Sequence, residues 1–283
     1  MDMRKRQPRA WRRLATQVSI LLPIFFLLPI TQGSAQETKW SPLNESEARA
    51  YGFTVEHGGI TRGDSSRREI ALVFTADEFY EGLDVIGKTL RSERVKGAFF
   101  LTGRLYRNAD AQPTIRRLFR EGHYMGPHSD MHLLYNDWGR RDSLLVSRDS
   151  MMTDLSANYR AMDALGIRHR ERLFIPPYEW WSREVADWCL ASGIQVVNFT
   201  AGTRSNADYT YPEMGTSYLS SDRILAHLES LAQSGRLQGA IILVHAGTDP
   251  RRPDKLYDRL GEWIHGMKTM GYSFKRLDEM IMR

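Results

Sequence analysis

The chain has 283 residues, a formal net charge of +5 at pH 7 and one cysteine. The six basic residues and one acid among the first 35 positions supply that whole charge, so the remainder is close to neutral. A neutral remainder argues against a protein that binds nucleic acid or anionic membranes through its overall charge. The single Cys189 excludes an internal disulfide and is typical of a small core residue.

Residues 1–35 have the pattern of a secretory signal peptide. A basic stretch precedes an apolar run over 18–30, which is too short to span a bilayer comfortably and contains two prolines. Small residues at positions 33–35 match the preference of a signal peptidase, so we predict cleavage after Ala35. An uncleaved membrane anchor is the alternative. We expect a secreted or periplasmic protein with no stable membrane span after cleavage.

Residues 36–68 form a polar lead-in segment without clear periodicity, which we interpret as turn-rich. From residue 69 onward, short apolar runs alternate with segments of helical spacing. The predicted strands cover 69–74, 97–101, 123–125, 172–175, 194–199, 240–244 and 272–274. The predicted helices cover 83–94, 111–121, 148–165, 182–192, 221–234, 255–270 and 277–282. This alternation predicts an α/β domain of parallel strands joined by helical crossovers.

Polar residues follow five of the predicted strands. In a parallel α/β barrel, functional groups gather where strands end and loops begin. The five loops start at Thr75, His128, Pro176, Thr203 and His245. We expect them to converge on one face of the domain.

His128 and His132 are four residues apart in the segment Gly-Pro-His-Ser-Asp-Met-His. On a helical turn, this spacing presents two imidazoles on the same side, as a zinc ion or a related first-row metal requires. Two surface or capping histidines are the alternative interpretation. Two histidines with one carboxylate can also hold non-haem iron for oxygen chemistry.

Asp77 and Glu78 directly follow the first of these strands, and His245 ends the most apolar one. In a turn, both carboxylates can face one cavity, where one binds a metal and the other hydrogen-bonds the metal's water. An ordinary acidic turn is the alternative. A histidine at the end of an apolar strand is either a packed core residue or, beside a metal and a base, a general acid. The second carboxylate and His245 favour hydrolysis over oxygen chemistry.

Four short motifs follow one another in the chain, namely the acidic pair, H-S-x-x-H, P-P-Y and L-x-H. In this order they resemble the motifs of the NodB-homology polysaccharide deacetylases, which form carbohydrate esterase family 4. The likeness extends from about Glu69 to Asp278. It implies a distorted (β/α)7 barrel and a deacetylase domain over 69–283. The implied activity is metal-dependent hydrolysis of N- or O-acetyl groups on an acetylated polysaccharide or oligosaccharide. The usual metal is Zn²⁺, which Co²⁺ or Ni²⁺ can replace.

The resemblance also implies a role for each motif residue. Asp77 is the expected catalytic base, and His245 is the expected acid that protonates the leaving group. Glu78, His128 and His132 are the expected metal ligands.

The substrate-binding candidates come from the two intermediate loops. They are Pro177, Tyr178, Trp180, Arg204 and Asp208.

The sequence departs from the family pattern at three positions. Glu78 replaces an aspartate, Phe79 replaces a glycine, and Ile175 replaces the arginine that normally orients the base. We consider Arg204 as a substitute for that arginine. These departures leave two other functions open. The first is a non-catalytic carbohydrate-binding protein, and the second is a metal-dependent hydrolase of a non-acetyl amide.

Overall fold

The computed structural model of the chain describes residues 40–169 and 172–281. The predicted signal peptide lies outside these residues. Within them, no helix has both the length and the apolar character needed to cross a bilayer.

Nine strands and nine α-helices are assigned in the described residues. The strands are β1 (Thr54–Glu56), β2 (Gly59–Arg62), β3 (Glu69–Ala76), β4 (Ala98–Leu101), β5 (Tyr124–Pro127), β6 (Leu173–Phe174), β7 (Gln195–Val196), β8 (Ala240–His245) and β9 (Ser273–Phe274). The helices are α1 (Glu45–Ala50), α2 (Leu83–Ser92), α3 (Gly103–Tyr106), α4 (Gln112–Arg120), α5 (Arg148–Ala164), α6 (Arg183–Ala191), α7 (Ser221–Gln233), α8 (Leu260–Thr269) and α9 (Leu277–Ile281). Short 3₁₀ turns cover Pro177–Glu179, Ser205–Tyr209, Pro212–Ser217 and Leu256–Arg259.

The strands form a curled sheet in the order β1-β2-β8-β3-β4-β5, with β9 beside β3 and a separate parallel pair β6-β7. Strands β8, β3, β4 and β5 run parallel. The β6-β7 pair lies between the two ends of the sheet. Leu173 N donates to the Tyr124 hydroxyl at 2.9 Å on one side, and Asn198 N donates to Ile60 O at 2.9 Å on the other. The predicted distorted α/β barrel is therefore confirmed.

Side chains of β3 alternate between two apolar layers, as a strand buried on both faces requires. Leu72 and Phe74 pack with the outer helices α2, α4, α7 and α8. Ala71 and Val73 point into the barrel, where they meet residues of the other strands such as Phe100. The barrel interior is thus filled with side chains, and polar groups are left to the carboxyl ends of the strands.

The lead-in segment is more structured than the turn-rich interpretation allowed. It contributes α1, β1 and β2, and β2 pairs antiparallel with β8 through Arg62 and Ala240. Strands of three and four residues are too short to show a period of two, so the sequence pattern gave no sign of them.

Candidate active site

A cleft of about 740 Å³ opens at the carboxyl ends of the parallel strands. Residues from all five predicted strand-end loops line it. The lining residues are Thr75, Ala76, Asp77, Glu78, Phe79, His128, His132, Trp138, Tyr178, Glu179, Asn206, Tyr209, Tyr211, Met214, His245, Gly247, Thr248, Asp249 and Arg251.

His128 and His132 face each other in this cleft, with their Nε2 atoms 3.3 Å apart. The segment between them is not the helical turn that the spacing suggested. Ser129 and His132 have left-handed backbone angles, with φ of 71° and 57°. The two imidazoles therefore meet because the chain loops back on itself.

Two polar residues of α5 hold this loop in place. Asp154 accepts hydrogen bonds from Ser129 Oγ at 2.6 Å, Asp130 N at 2.9 Å and Met131 N at 3.0 Å. Asn158 Oδ1 accepts the backbone N–H of His128 at 3.0 Å. Sequence analysis missed both residues. The available signal was two polar side chains four apart on the otherwise apolar buried face of α5.

Gly103, at the start of α3, supports the same loop from the other side. A Cβ at this position would lie 1.9 Å from Asp130 Oδ1, so only glycine permits this close approach. Its backbone N donates to Ser129 O at 3.1 Å.

The two imidazoles are suited to bind a metal. Burial lowers the pKa of His128 to about 3 and that of His132 to about 4, so both rings are neutral at physiological pH. His128 Nδ1 lies 2.8 Å from Ile175 O, and donation to that carbonyl leaves the Nε2 lone pair directed at the cleft. Two nitrogens on one tetrahedral zinc, each about 2.0–2.1 Å from it, are roughly 3.3 Å apart. The observed pair has that separation.

The described residues do not form a complete set of metal ligands. Within residues 40–169 and 172–281, no three His, Cys, Asp or Glu side chains are grouped as a metal site. Glu78 is exposed on the cleft wall and has no hydrogen bond or ion pair with any described residue. Its role as a metal ligand stays a prediction.

Glu179 is a carboxylate whose position sequence analysis did not single out. Its side chain is 10% exposed, and Oε1 lies 3.8 Å from His128 Nε2. Burial raises the pKa of Glu179 to about 7. The available signal was an acidic residue between two aromatic ones in Pro-Pro-Tyr-Glu-Trp, directly after a predicted strand.

Asp77 is held by two side chains near the start of α3. Thr102 Oγ1 donates to Asp77 Oδ1 at 2.8 Å, and Arg104 binds both carboxylate oxygens. Burial alone would raise the pKa of Asp77, but the hydrogen bonds from Arg104 and Thr102 outweigh it and hold the pKa below the usual range. Asp77 therefore remains ionised as a potential base.

The arginine beside the expected base is thus Arg104, and the suggestion of Arg204 for that role is wrong. Arg204 is exposed, has a left-handed φ of 56°, and is absent from the cleft lining. Arg104 belongs to a four-residue helix that no periodicity could show.

His245 lies at the end of β8, which pairs with β3, and it is bound to Asp208. His245 Nδ1 is 2.6 Å from Asp208 Oδ1, and the His245 backbone N donates to Asp208 Oδ2 at 2.9 Å. Burial lowers the pKa of His245, but the Asp208 carboxylate outweighs burial and raises the pKa to about 9. His245 is therefore a cation at neutral pH, with Nε2 left to face the cleft.

Asp208, which we predicted to bind substrate, instead contacts His245 in this structure. Its side chain is fully buried behind His245, and both oxygens are engaged. A carboxylate in this place fixes the ring orientation and protonation of its histidine.

Exposed aromatic side chains surround the cleft. Trp138 is 56% exposed, Tyr178 43% and Tyr209 49%. The Tyr178 ring lies 4.3 Å from that of His132, and the Trp138 and Tyr178 rings are 5.6 Å apart. Aromatic faces exposed together in this way indicate a binding surface.

The two other candidates of the Pro-Pro-Tyr loop are absent from the cleft lining. Pro177 is buried. Trp180 donates from Nε1 to Asp137 O at 3.2 Å, and the guanidinium of Arg141 lies 3.4 Å from its ring centre. Both residues support the rim, while Tyr178 itself faces the cleft.

Comparison with known proteins gives consistent matches. The sequence profile of the polysaccharide deacetylase family matches residues 62–197. An uncharacterised 30.6 kDa protein of Geobacillus stearothermophilus is 27% identical over 240 residues, which cover 80% of this chain and 76% of that protein.

Two solved structures show the same fold. A carbohydrate esterase family 4 pseudoenzyme of Bacillus anthracis has a TM-score of 0.62 at 20% identity, covering 80% of this chain and 70% of that one. The family 4 carbohydrate esterase PdaA of Bacillus subtilis has a TM-score of 0.58 at 22% identity, covering 79% of this chain and 84% of that one.

Proposed function

The chain carries a polysaccharide deacetylase domain, as its motifs predict, and from that premise we propose that it is a metal-dependent hydrolase that removes acetyl groups from a glycan. One observation carries the proposal. Two neutral imidazoles, 3.3 Å apart, share a cleft with a carboxylate base and a protonated histidine. His128 and His132 would hold a divalent cation such as Zn²⁺, which would supply Lewis-acid polarisation of the acetyl carbonyl and a more acidic water molecule.

Asp77 has the properties of the base in this reaction. Its carboxylate is ionised, and Arg104 and Thr102 fix its orientation. It accepts a proton as water attacks the acetyl carbon. A base held in one orientation contributes more than a freely rotating one, because no reorganisation accompanies the proton transfer.

His245 has the properties of the acid. With the pKa raised to about 9, the ring is protonated at neutral pH and gives its Nε2 proton to the departing amine nitrogen or alkoxide oxygen. Asp208 keeps Nδ1 protonated and stabilises the cationic form. The acid therefore shares the cleft with the base and is protonated before substrate arrives.

The aromatic rim favours a saccharide as the substrate. The flat faces of Trp138, Tyr178 and Tyr209 suit the apolar faces of sugar rings, and the open cleft leaves room for a chain to extend.

Acetate release tests the proposed function. The zinc-loaded mature protein and its metal-stripped form are incubated with a panel of N- and O-acetylated saccharides. We expect acetate only from the loaded protein. Release of a different acid or amine would instead identify a hydrolase of a non-acetyl amide.

A non-catalytic glycan-binding function is the second candidate. The exposed, unpaired Glu78 and the Ile175 that replaces the motif arginine favour it. Saturable binding of acetylated oligosaccharides without any acetate release from zinc-loaded protein would establish this alternative.

Secretion belongs to the proposal as well. The support is the leader pattern, with its basic stretch, apolar run and small residues before position 36. Mass spectrometry of protein exported by a bacterial host is expected to show a chain that begins at Gln36.

A further inference from the structure

The Glu179 side chain is mostly buried in the cleft wall, and its carboxylate has no hydrogen-bond partner among the described residues. Its side chain is 10% exposed, and Oε1 lies 3.8 Å from His128 Nε2, beyond hydrogen-bond distance. A buried carboxylate is costly unless an opposite charge or a hydrogen-bond donor compensates it. Because no described residue donates a hydrogen bond to it, this carboxylate is available to bind a cation.

The backbone directs Glu179 into the cleft in an unfavourable conformation. Tyr178 and Glu179 both have left-handed angles, with φ of 60° and 55°. Non-glycine residues in this region are strained, and such residues cluster at functional sites. Asn198 Nδ2 donates to Glu179 O at 2.9 Å and holds the strained segment. As a result, Tyr178 lies at the rim while the Glu179 side chain points inward.

Glu78 differs in each of these respects. It is exposed, and no hydrogen bond or ion pair joins it to His128, His132 or any other described residue. It follows Asp77, which is bound to Arg104, two residues beyond the end of β3.

We propose that Glu179, and not Glu78, supplies the carboxylate that completes the cation site with His128 and His132. The separation of 3.8 Å between Glu179 Oε1 and His128 Nε2 is only slightly longer than the roughly 3.3 Å expected of two atoms on one tetrahedral zinc. The inference rests on the proposed function, because it concerns the cation of the same cleft.

Zinc affinity tests the inference without any substrate. Metal-stripped wild type, Glu179→Gln, Glu78→Gln and the exposed control Glu184→Gln on α6 are titrated with ZnCl₂ by calorimetry. We expect Glu179→Gln to lose more than tenfold in affinity, and the other two variants to stay within about twofold of wild type. The visible absorption of the Co²⁺ forms should change in the same variant only. Melting curves in EDTA check that each variant folds.

Several outcomes overturn the inference. They are wild-type affinity in Glu179→Gln, loss of affinity in Glu78→Gln, or no zinc binding by wild type. If Glu179→Gln fails to fold, anomalous diffraction from wild-type crystals grown with zinc decides which carboxylate binds. A protein that binds zinc through Glu179 but releases no acetate supports this inference and refutes the proposed function.

Discussion

Two groups of polar residues in the cleft, named here the acid wall and the metal wall, differ in how completely their members are paired. The acid wall consists of Asp208 and His245, which share two contacts of 2.6 and 2.9 Å. The metal wall consists of His128, His132 and Glu179. Its nitrogens and carboxylate face one another at 3.3 and 3.8 Å without a bridging charge.

This difference shows which part of the chemistry the polypeptide supplies alone. The acid wall is organised in advance, because a buried carboxylate fixes both the orientation and the charge of its histidine. The metal wall brings neutral donors and one unpaired carboxylate together, an arrangement that a divalent cation stabilises. Variants of the two walls should therefore fail in different ways.

Removing a ligand from the metal wall should have the largest effect. We expect His132→Ala to lose zinc binding and to reduce acetate release to background, because a single histidine and a carboxylate hold zinc weakly. Metal content after dialysis and acetate release measure the two effects. The exposed His265→Ala on α8 is the matched control and should retain both. Full activity in His132→Ala would remove the metal wall from the mechanism.

Removing the base should separate zinc binding from turnover. We expect Asp77→Asn to bind zinc normally and to lose about 10²–10⁴-fold in kcat, the usual contribution of a positioned base. The measurements are zinc calorimetry and acetate release at saturating substrate. An Asp77→Asn protein with undiminished kcat would show that another group takes the proton.

A substitution in the acid wall should change the pH dependence of acetate release. His245 has a pKa of about 9, above the usual value, so its protonated form dominates below pH 9 and is lost as the pH rises through 9. In Asp208→Asn, the main cause of the raised pKa is absent, and the alkaline limb of kcat should move to lower pH. At pH 7 we expect a loss of roughly 10²-fold. Asp222→Asn, an exposed aspartate on α7, is the control.

The raised pKa of His245 also makes the free energy of unfolding depend on pH in a defined direction. A raised pKa in the folded protein stabilises it fully below the unfolded value of about 6.5. This contribution is lost as the pH rises through about 9. The difference in unfolding free energy between wild type and Asp208→Asn should therefore shrink above pH 9 in urea titrations. A difference that is constant with pH would contradict the assigned ion pair.

Much of the fold could be predicted because its signals are local. The apolar run that became β8 and the helical spacing of α5 are visible in consecutive residues, and each predicted end lies within one residue of the observed one. The antiparallel strands β1 and β2 escaped notice because they are very short.

The site was less predictable, because its geometry depends on distant contacts. The pairing of His128 and His132 was anticipated, yet the loop that creates it depends on Asp154, about 25 residues further along. Asp208 contacts His245, which lies 37 residues further along the chain, and the sequence does not show this contact. Its place in a strand-end loop suggested contact with substrate instead. A sequence shows which polar groups follow strands, but not which of them bind one another.

Substitutions of Arg104 and Arg204 have the smallest expected effects, and they test which arginine orients the base. Arg104 is hydrogen-bonded to Asp77, whereas Arg204 is not. Arg104 is about half exposed, with 45% of its side chain accessible, so its ion pair with Asp77 is partly screened by solvent. We expect Arg104→Gln to lower kcat by only about tenfold. The pKa of Asp77 should rise, because burial then lacks its strongest opposing hydrogen bond, and the acid limb of the pH profile should move to higher pH. Arg204→Gln is the matched control and should leave both kcat and the acid limb unchanged. The contrary outcome is that Arg204→Gln moves the acid limb and Arg104→Gln does not. Arg204 would then orient the base, and the division between the two walls would fail.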